Sequence, residues 1–371
     1  MRLIFISNFL NHHQLPLCQA FAKRLGEEFV FLNCGLIDQE RVKLGYQDMN
    51  DMFSFSKLCV TPADNCFWSH EVAEADHVIF GSGDWSLLKE RTLSRKPILF
   101  YSERLFKNPL KTPLISLSAR RHFCKPSRNG SYLLAAGQYS QKDFNSIGLF
   151  KDRTIFWGYF PQGVNGEREN KDFFKDGVVR FLWAGRFLQW KHPEMAVDAL
   201  ERFLKAGIPS ELTLIGCGSK EKATLARVKR KGLEPYVRFT GPLQYKTVLR
   251  KMAESDIFLL TSDRQEGWGA VLNEAMSAGC CCVACNQAGS VDYLIHDKKN
   301  GIKFHNRKGL FEALDYLIAH IDTVSKMGIQ ARRTIVTDWN ADVAVGNLLR
   351  TLENASSCER TSTPKPGKLI K

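Results

Sequence analysis

The sequence predicts an α/β protein made of two Rossmann-like, doubly wound parallel-sheet domains with a cleft between them. Its 371 residues are too many for one compact core. Strand-like apolar runs alternate with helix-like amphipathic segments, which is typical of βαβ units. The alternation pauses at the polar, glycine-bearing segment 160–177, and it restarts near Val178. We place the interdomain linker in that segment.

The elements follow in order from the length and periodicity of the apolar runs. In the first half we predict the strand RLIFISNF, the helix HQLPLCQAFAKRLG, and the strands EFVFLNCG, ADHVIFGSG and KPILFYSE. In the second half we predict the strands VVRFLWAG, ELTLIGCG, YVRFTG, DIFLLTS and CCCVAC, with helices at PEMAVDALERFLKAG, EKATLARVKRKG, YKTVLRKMAES, AVLNEAMSAG and GLFEALDYLIAHI. We therefore expect domains at 1–165 and 166–335, a helix at 336–356 that could pack back on the first domain, and a disordered basic tail at 357–371.

The composition is that of an ordinary globular protein, with 44% hydrophobic and 25% charged residues. No apolar run reaches the eighteen residues that predict a transmembrane helix, and the start of the chain is interpreted as a first strand rather than a signal peptide. Eleven scattered cysteines form no disulfide framework, which indicates the reducing cytoplasm. The CxxC spacing of Cys282 and Cys285 could indicate a metal or redox site, but no second ligand pair follows, and a buried strand is favoured.

The net charge of +13 is concentrated in one stretch. From Ser86 to Arg128 there are eleven Lys and Arg against two acids, a pattern that attracts a polyanion such as nucleic acid, acidic lipid or a phosphorylated substrate. Within it, Leu114, Ile115, Leu117 and Phe123 alternate with basic residues. This segment could lie on an anionic membrane surface, or it could be a packed helix with a solvated basic face.

Three predicted strands of the second half end in residues suited to a diphosphate. These are Gly185 and Arg186 with Lys191 after the first strand, Gly216 and Gly218 after the second, and Gly267 and Gly269 after the fourth. Glycines allow a phosphate to approach the backbone, a helix N-terminus adds N–H donors, and the cations add charge. In doubly wound sheets, ligands bind at these carboxyl ends of the strands.

Two acids stand eight positions apart in EGWGAVLNEAMSAG. Glu274 falls about one turn inside the predicted helix, where its carboxylate can accept hydrogen bonds from a ribose diol. Glu266 precedes the turn and lies nearer the reacting end of a ligand. The alternative, solvated surface charge, would leave the neighbouring glycines and cations unexplained.

These motifs resemble the retaining, GT-B-fold nucleotide-sugar glycosyltransferases of family 4. The family's E-x7-E element stands here as EGWGAVLNEAMSAG, with Trp268 for the usual Phe, and AGRFLQWKHPE resembles its GR…KG segment. LIGCG, VRFTGPL and AGSVDYLIHDKKNGI resemble its three further loops, with Ala288 and Lys298 where glycine is usual.

The resemblance implies that Arg186 and Lys191 bind the donor diphosphate, Glu274 the ribose and Glu266 the donor sugar. Our catalytic candidates are accordingly Glu266, Arg186 and Lys191. The donor-binding candidates are Glu274, Gly267, Trp268, Gly269, Gly216, Gly218 and Gly241. No metal and no cofactor are implied, since the nucleotide sugar, such as a UDP- or GDP-sugar, is a substrate.

The first half carries fewer signals. His12 and His13 follow the first strand and could serve the acceptor side, or could be capping or solvent histidines. Glu103 follows the strand KPILFYSE, with a local ion pair to Arg104 or Lys107 as the alternative.

We therefore expect a cytoplasmic, metal-independent glycosyltransferase of bacterial surface polysaccharide synthesis, which could be peripheral at the inner face of the membrane. Its partners would be a nucleotide-sugar donor, a glycan or lipid-linked acceptor and an anionic membrane surface. The alternatives are a nucleotide-sugar epimerase on the same fold, or a nucleic-acid-binding protein that uses the basic stretch 86–128; no recognisable nucleic-acid module is present, so we expect no nucleic-acid partner.

Overall fold

The computed structural model describes residues 1–37, 49–50, 52–163 and 171–358. The chain forms two compact units, one of Met1–Pro161 with the segment from Asn340 onward, the other of Gln162–Trp339. Each unit is an α/β domain around a parallel sheet, which confirms the predicted fold class.

The first unit contains a seven-stranded sheet within its described residues, in the order β3-β2-β1-β4-β5-β6-β7. Its strands are β1 (Leu3–Ser7), β2 (Phe29–Asn33), β3 (Ser56–Leu58), β4 (His77–Phe80), β5 (Leu99–Ser102), β6 (Tyr132–Ala136) and β7 (Thr154–Trp157). Its helices are α1 (Leu15–Leu25), α2 (Pro62–Glu74), α3 (Lys89–Leu93), α4 (Thr112–Arg128) and α5 (Gln138–Ser146). Every residue of β1 and β2 is buried, because helices cover both faces of a parallel sheet.

The second unit has the sheet order β10-β9-β8-β11-β12-β13 in its described residues. Its strands are β8 (Val179–Ala184), β9 (Ser210–Ile215), β10 (Val237–Gly241), β11 (Ile257–Leu260), β12 (Cys281–Cys285) and β13 (Ile302–Phe304). Its helices are α6 (Pro193–Lys205), α7 (Glu221–Arg230), α8 (Tyr245–Ala253), α9 (Val271–Ser277), α10 (Val291–Leu294), α11 (Arg307–Ala319) and α12 (Thr323–Arg333).

The strand order of the second unit reverses at β8. The chain moves from β8 outward to β9 and β10, and it then returns to place β11 on the other side of β8. The carboxyl ends of β8 and β11 therefore lie at a topological switch point, where doubly wound sheets bind ligands.

The last described helix, α13 (Ala341–Cys358), belongs to the first unit and packs against α1. Arg24 Nη1 donates to Asp342 Oδ1 at 2.9 Å, and Arg24 Nη2 donates to the Asp342 carbonyl oxygen at 2.9 Å. Residues 164–170 of the predicted linker and the predicted tail from 359 onward lie outside the described residues.

The cysteine-rich segment is a buried strand, as favoured from the sequence. All five residues of β12 are buried, and burial raises the pKa of the Cys281 thiol to about 12. A thiol that stays protonated is a poor nucleophile and a poor metal ligand, so these side chains act as small apolar groups.

The basic stretch 86–128 is not wholly a surface feature, which corrects the sequence interpretation. Arg91 is 1% exposed and donates to the carbonyl oxygens of Val72, Ala75 and Asp76 at 2.6–3.0 Å, so it caps the C-terminal end of α2. Arg104 is also buried, 3.8 Å from Asp143. Arg91 and Arg104 therefore bond to groups inside the first unit and do not contribute to a basic surface.

Across the part of the chain that the structure describes, we find no helix with the length and apolar character required to cross a bilayer.

Candidate active site

Three loops at the carboxyl edge of the second sheet are joined through glycines. The Gly216 N–H donates to the Gly241 carbonyl oxygen at 2.9 Å, and a Cβ at Gly216 would lie 2.0 Å from the Gly185 oxygen. A Cβ at Gly218 would lie 2.7 Å from the Phe187 oxygen, and both glycines have a positive φ, of 121° and 147°. The packing of one loop on another therefore requires glycine at both positions.

Lys191 and Glu266 meet where the loops after β8 and β11 adjoin. Lys191 ends the short turn Gln189–Lys191, and its Nζ donates to Glu266 Oε2. The side chains are only 14% and 11% exposed. Two hydrogen bonds to backbone carbonyl oxygens join the loops after β8 and β11. The Asp263 N–H donates to the Trp190 oxygen at 2.9 Å, and Thr261 Oγ1 donates to the Lys191 oxygen at 2.6 Å. Two predicted residues that are distant in the sequence are thus brought together.

His192 joins the same two loops, and the sequence analysis did not single it out. Its Nδ1 lies 3.1 Å from Glu194 Oε1 and its Nε2 lies 3.2 Å from Asp263 Oδ2. The hydrogen bond to Glu194 and then that to Asp263 raise the pKa of the imidazole. The sequence contained a signal for this residue, because His192 stands at the glycine position of the GR…KG segment. In the structure its backbone is left-handed, with φ 48° and ψ 53°.

Glu274 lies at the end of the first turn of α9, about one turn inside the helix as the sequence predicted. It is 5% exposed, and burial raises the pKa of its carboxyl to about 8. The turn before the helix passes through Gly269, whose φ is 86° and whose Cβ would lie 3.3 Å from Glu266 Cγ. The two acids of the E-x7-E element are therefore placed by one tight turn at the carboxyl edge of the sheet.

The side chain of Trp268, one of the donor-binding candidates, points into the interior. It is 1% exposed, its Nε1 donates to Asn273 Oδ1 at 2.8 Å, and its ring stacks on Trp339 with centroids 5.5 Å apart. The indole anchors the turn. The backbone of the turn is held as well, because the Gly289 N–H donates to the Gly267 oxygen at 2.9 Å and the Ser290 N–H to the Trp268 oxygen at 3.1 Å.

Arg186 begins the loop that leads to Lys191. Its side chain is exposed, and among the described residues it forms no ion pair. Its guanidinium therefore differs from the Lys191 ammonium, which already has a carboxylate partner.

The acceptor-side candidates lie in the first unit. Lys107 Nζ pairs with Glu103 Oε2 at 2.6 Å, which confirms the local ion pair that the sequence left as the alternative. His12 and His13 lie in the turn between β1 and α1, with ring centroids 4.0 Å apart. Burial lowers the pKa of His12 to about 4, so its ring is neutral at neutral pH and can act as a hydrogen-bond partner or a base.

Comparisons with known proteins concern the same part of the chain. The model of the family described as glycosyl transferases group 1 matches residues 166–334, the part of the chain that carries the donor candidates. Spore coat protein SA of Bacillus subtilis is 24% identical over 225 residues, covering 55% of this chain and 59% of that protein. The amylovoran biosynthesis glycosyltransferase AmsK of Erwinia amylovora is 26% identical over 184 residues, covering 47% of this chain and 44% of that protein. The chain thus spans about half the length of these two relatives.

A likeness to a solved structure extends over nearly the whole chain. The Anabaena protein Alr3699/HepE, in complex with UDP, has a TM-score of 0.69 at 17% identity, and the match covers 95% of this chain and 100% of that one. The same protein has also been solved with UDP-glucose. The two domains thus have the GT-B fold.

Proposed function

We propose that this protein transfers a sugar from a nucleoside diphosphate donor, such as a UDP- or GDP-sugar, to a hydroxyl of a glycan or lipid-linked acceptor. The observation that carries the proposal is the junction of the loops after β8 and β11, where Lys191 bonds Glu266 at the topological switch point. The family-model match over this region and the UDP and UDP-glucose complexes of the Anabaena protein support a nucleotide-sugar donor.

In this proposal the two cations act on the donor diphosphate. Negative charge grows on the diphosphate as the sugar departs, so cations placed there stabilise the transition state more than the ground state. An ammonium has three N–H donors, so Lys191 can bond phosphate oxygens while it keeps its bond to Glu266. The exposed guanidinium of Arg186 supplies a planar fork that suits phosphate.

The two acids divide the rest of the donor. We assign the ribose diol to Glu274 and a hydroxyl of the donor sugar to Glu266 Oε1, since Oε2 accepts from Lys191. Gly216, Gly218, Gly241, Gly267 and Gly269 shape the loops around the nucleotide. His12, His13 and Glu103 remain the acceptor-side candidates of the proposal.

The finer parts of the proposal rest on the motif resemblance. Retention of the anomeric configuration, membership of family 4 and the absence of a metal requirement follow the E-x7-E element and the two cations. A role in bacterial surface polysaccharide synthesis follows the likeness to the amylovoran enzyme. The described cysteines are free thiols, which favours work in the cytoplasm.

The proposal is tested with a panel of nucleoside diphosphates and their sugars. A donor at a hundred times its dissociation constant should stabilise the folded protein by about 2.7 kcal/mol. We expect one base to raise the melting temperature, and the matching sugar nucleotide to transfer its sugar to an acceptor with retained configuration, measured by the anomeric proton coupling. Transfer should survive removal of divalent cations with a chelator.

Other results would contradict the proposal. A folded protein stabilised by none of the nucleotides would remove the donor site. Epimerisation of the donor sugar without any acceptor would favour the epimerase, and a salt-dependent gel shift without nucleotide binding would favour nucleic-acid binding.

A further inference from the structure

Helix α4 presents two very different faces. Its inner face is held by Phe123, whose ring lies 5.0 Å from Phe100 and 5.1 Å from Trp85, measured between centroids. Ala119 and Pro126 are buried beside it. The helix is thus fixed to the core of the first unit, and its outer face is presented in one orientation.

The outer face begins with a ridge of leucines. Leu110 is 91% exposed, Leu114 74% and Leu117 70%. Steps of four and three residues place the three side chains on one side of the helix and of the short turn Pro109–Lys111 that precedes it. A single exposed leucine is ordinary, but three on the same side of one helix expose a contiguous apolar surface to water.

Cations continue the same face toward the end of the helix. Arg121 and Lys125 follow Leu117 at steps of four and are exposed, and no acidic residue lies anywhere in α4. Among the described residues, no carboxylate pairs with Arg121 or Lys125. Together with Lys89 and Trp85, these two cations line a cavity of about 280 Å³.

The combination selects among anionic partners. A nucleic acid would use the cations but offers nothing to three exposed leucines. An anionic bilayer uses both, because its headgroups attract Lys and Arg while aliphatic side chains enter the boundary of the acyl chains. The charge of this face is complementary to such a surface.

We propose that the α4 face formed by Leu110, Leu114, Leu117, Arg121 and Lys125 docks on an anionic phospholipid bilayer. The leucines enter the boundary between headgroups and acyl chains, and the cations bind lipid phosphates, with the cavity beside Trp85 receiving one headgroup. This face belongs to the first unit, and the inference does not depend on the donor site of the second.

The test is sedimentation of the full chain with vesicles of phosphatidylcholine alone and of phosphatidylcholine mixed with phosphatidylglycerol. We expect binding to the mixed vesicles that weakens as salt is added. Leu114→Ser with Leu117→Ser should lower the partition coefficient by about tenfold or more, since both side chains lose their apolar contact with lipid. Arg121→Ala with Lys125→Ala should lower it by about tenfold and flatten its salt dependence.

Matched controls remove the same groups elsewhere. Ile329→Ser changes an apolar residue that is 53% exposed on α12, and Lys229→Ala with Arg230→Ala removes two exposed cations from α7. Both controls should bind the mixed vesicles as the unaltered chain does. All four altered residues on α4 are exposed, so unchanged melting temperatures should verify that each variant is folded.

Three outcomes would overturn the inference. They are equal binding to both kinds of vesicle, leucine variants that bind like the unaltered chain, and controls that lose as much binding as the α4 variants. Binding to duplex DNA in a gel shift, without binding to vesicles, would assign the basic face to nucleic acid instead.

Discussion

Replacing Glu274 with glutamine should change the stability of the protein in a way that depends on pH. The carboxyl is 5% exposed, and burial raises its pKa from the ordinary 4.5 to about 8. The folded protein therefore holds this proton over a pH range in which the unfolded chain releases it. Glutamine has nearly the same shape and carries no charge at any pH.

The magnitude follows from that difference in pKa. Because the pKa is higher in the folded state, stability is greatest below the unfolded pKa and falls as the pH rises toward about 8, by about 1.4 kcal/mol per unit. Between about pH 5.5 and 7.5 the unaltered protein should lose on the order of 3 kcal/mol that Glu274→Gln keeps. For a domain of this size, that corresponds to about 6–12 °C in the melting temperature.

The assay is thermal unfolding of both proteins across this pH range, without nucleotide. We expect the gap between the melting temperatures to be smallest near pH 5.5 and to widen as the pH rises, with Glu274→Gln the more stable. Glu254→Gln is the matched control, since Glu254 is an exposed carboxyl of the same unit, paired with Lys251 at 2.8 Å. A separation that does not grow with pH, or one that the control reproduces, would refute the assignment of the titration to Glu274.

The same residue should reveal its role in binding. If the Glu274 carboxylate accepts the ribose hydroxyls, the unaltered protein must release close to one proton at about pH 7 when the nucleotide binds. Calorimetry in two buffers of different ionisation enthalpy measures that proton, and Glu274→Gln should bind more weakly and release none. Equal affinity and equal proton release in the two proteins would remove Glu274 from the ribose.

Three further predictions concern the loops around the site. Arg186→Ala and Lys191→Ala should each lower the rate constant about ten- to a hundredfold, and the double variant should lose less than the sum of the two effects. Arg186→Ala should keep its melting temperature. Lys191→Ala should lower the free energy of unfolding by about 1–3 kcal/mol, because it leaves the Glu266 carboxylate without its partner. Normal turnover in both single variants would refute the diphosphate site. Trp268→Phe should cost about 1–3 kcal/mol in chemical denaturation, since it opens space against Trp339 and removes the Nε1 hydrogen bond to Asn273 Oδ1, although phenylalanine is usual there in the resembled family. An unchanged denaturation midpoint would show that the indole does not stabilise the turn. His192→Asn should be less stable than the unaltered chain at low pH, and the gap in melting temperature should close as the pH rises through the raised pKa of His192, because the charged bonds to Glu194 and Asp263 exist only below it; a gap independent of pH would contradict this.

The apolar pattern of the sequence was sufficient for most strands and several helices, but length did not decide the outcome: the four-residue β4 and β5 were predicted, whereas the 13-residue α2 was not. The continuous apolar runs of β1 and β2, rich in Ile, Val and Phe, and the apolar stripe of the amphipathic α6 were predicted. The strands β3 and β13 have three residues each, too few for any pattern, and β6 and β7 are short apolar runs that could equally be buried helix.

The sequence predicted which residues form the candidate site, but not which of their side chains bond to one another. Lys191 and Glu266 were each assigned to the donor, and only the folded loops reveal their bond, because nothing local links positions so far apart. The direction of the Trp268 side chain likewise depends on its stacking with Trp339, the last residue of the second unit. Lys298, at a position where glycine is usual in the resembled family, has a φ of 59°, in the left-handed region that favours glycine.

The return of α13 to the first unit sets an order for the synthesis of this protein. Residues 1–161 emerge from the ribosome before α13, the helix that packs on α1, which is translated only after Gln162–Trp339. During elongation the nascent first unit must wait with one side of α1 uncovered, including Arg24, whose partner Asp342 has yet to be made. Completion of the first unit on the ribosome is therefore tied to completion of the second, and a chain truncated at 339 would carry a finished second unit beside an unfinished first one.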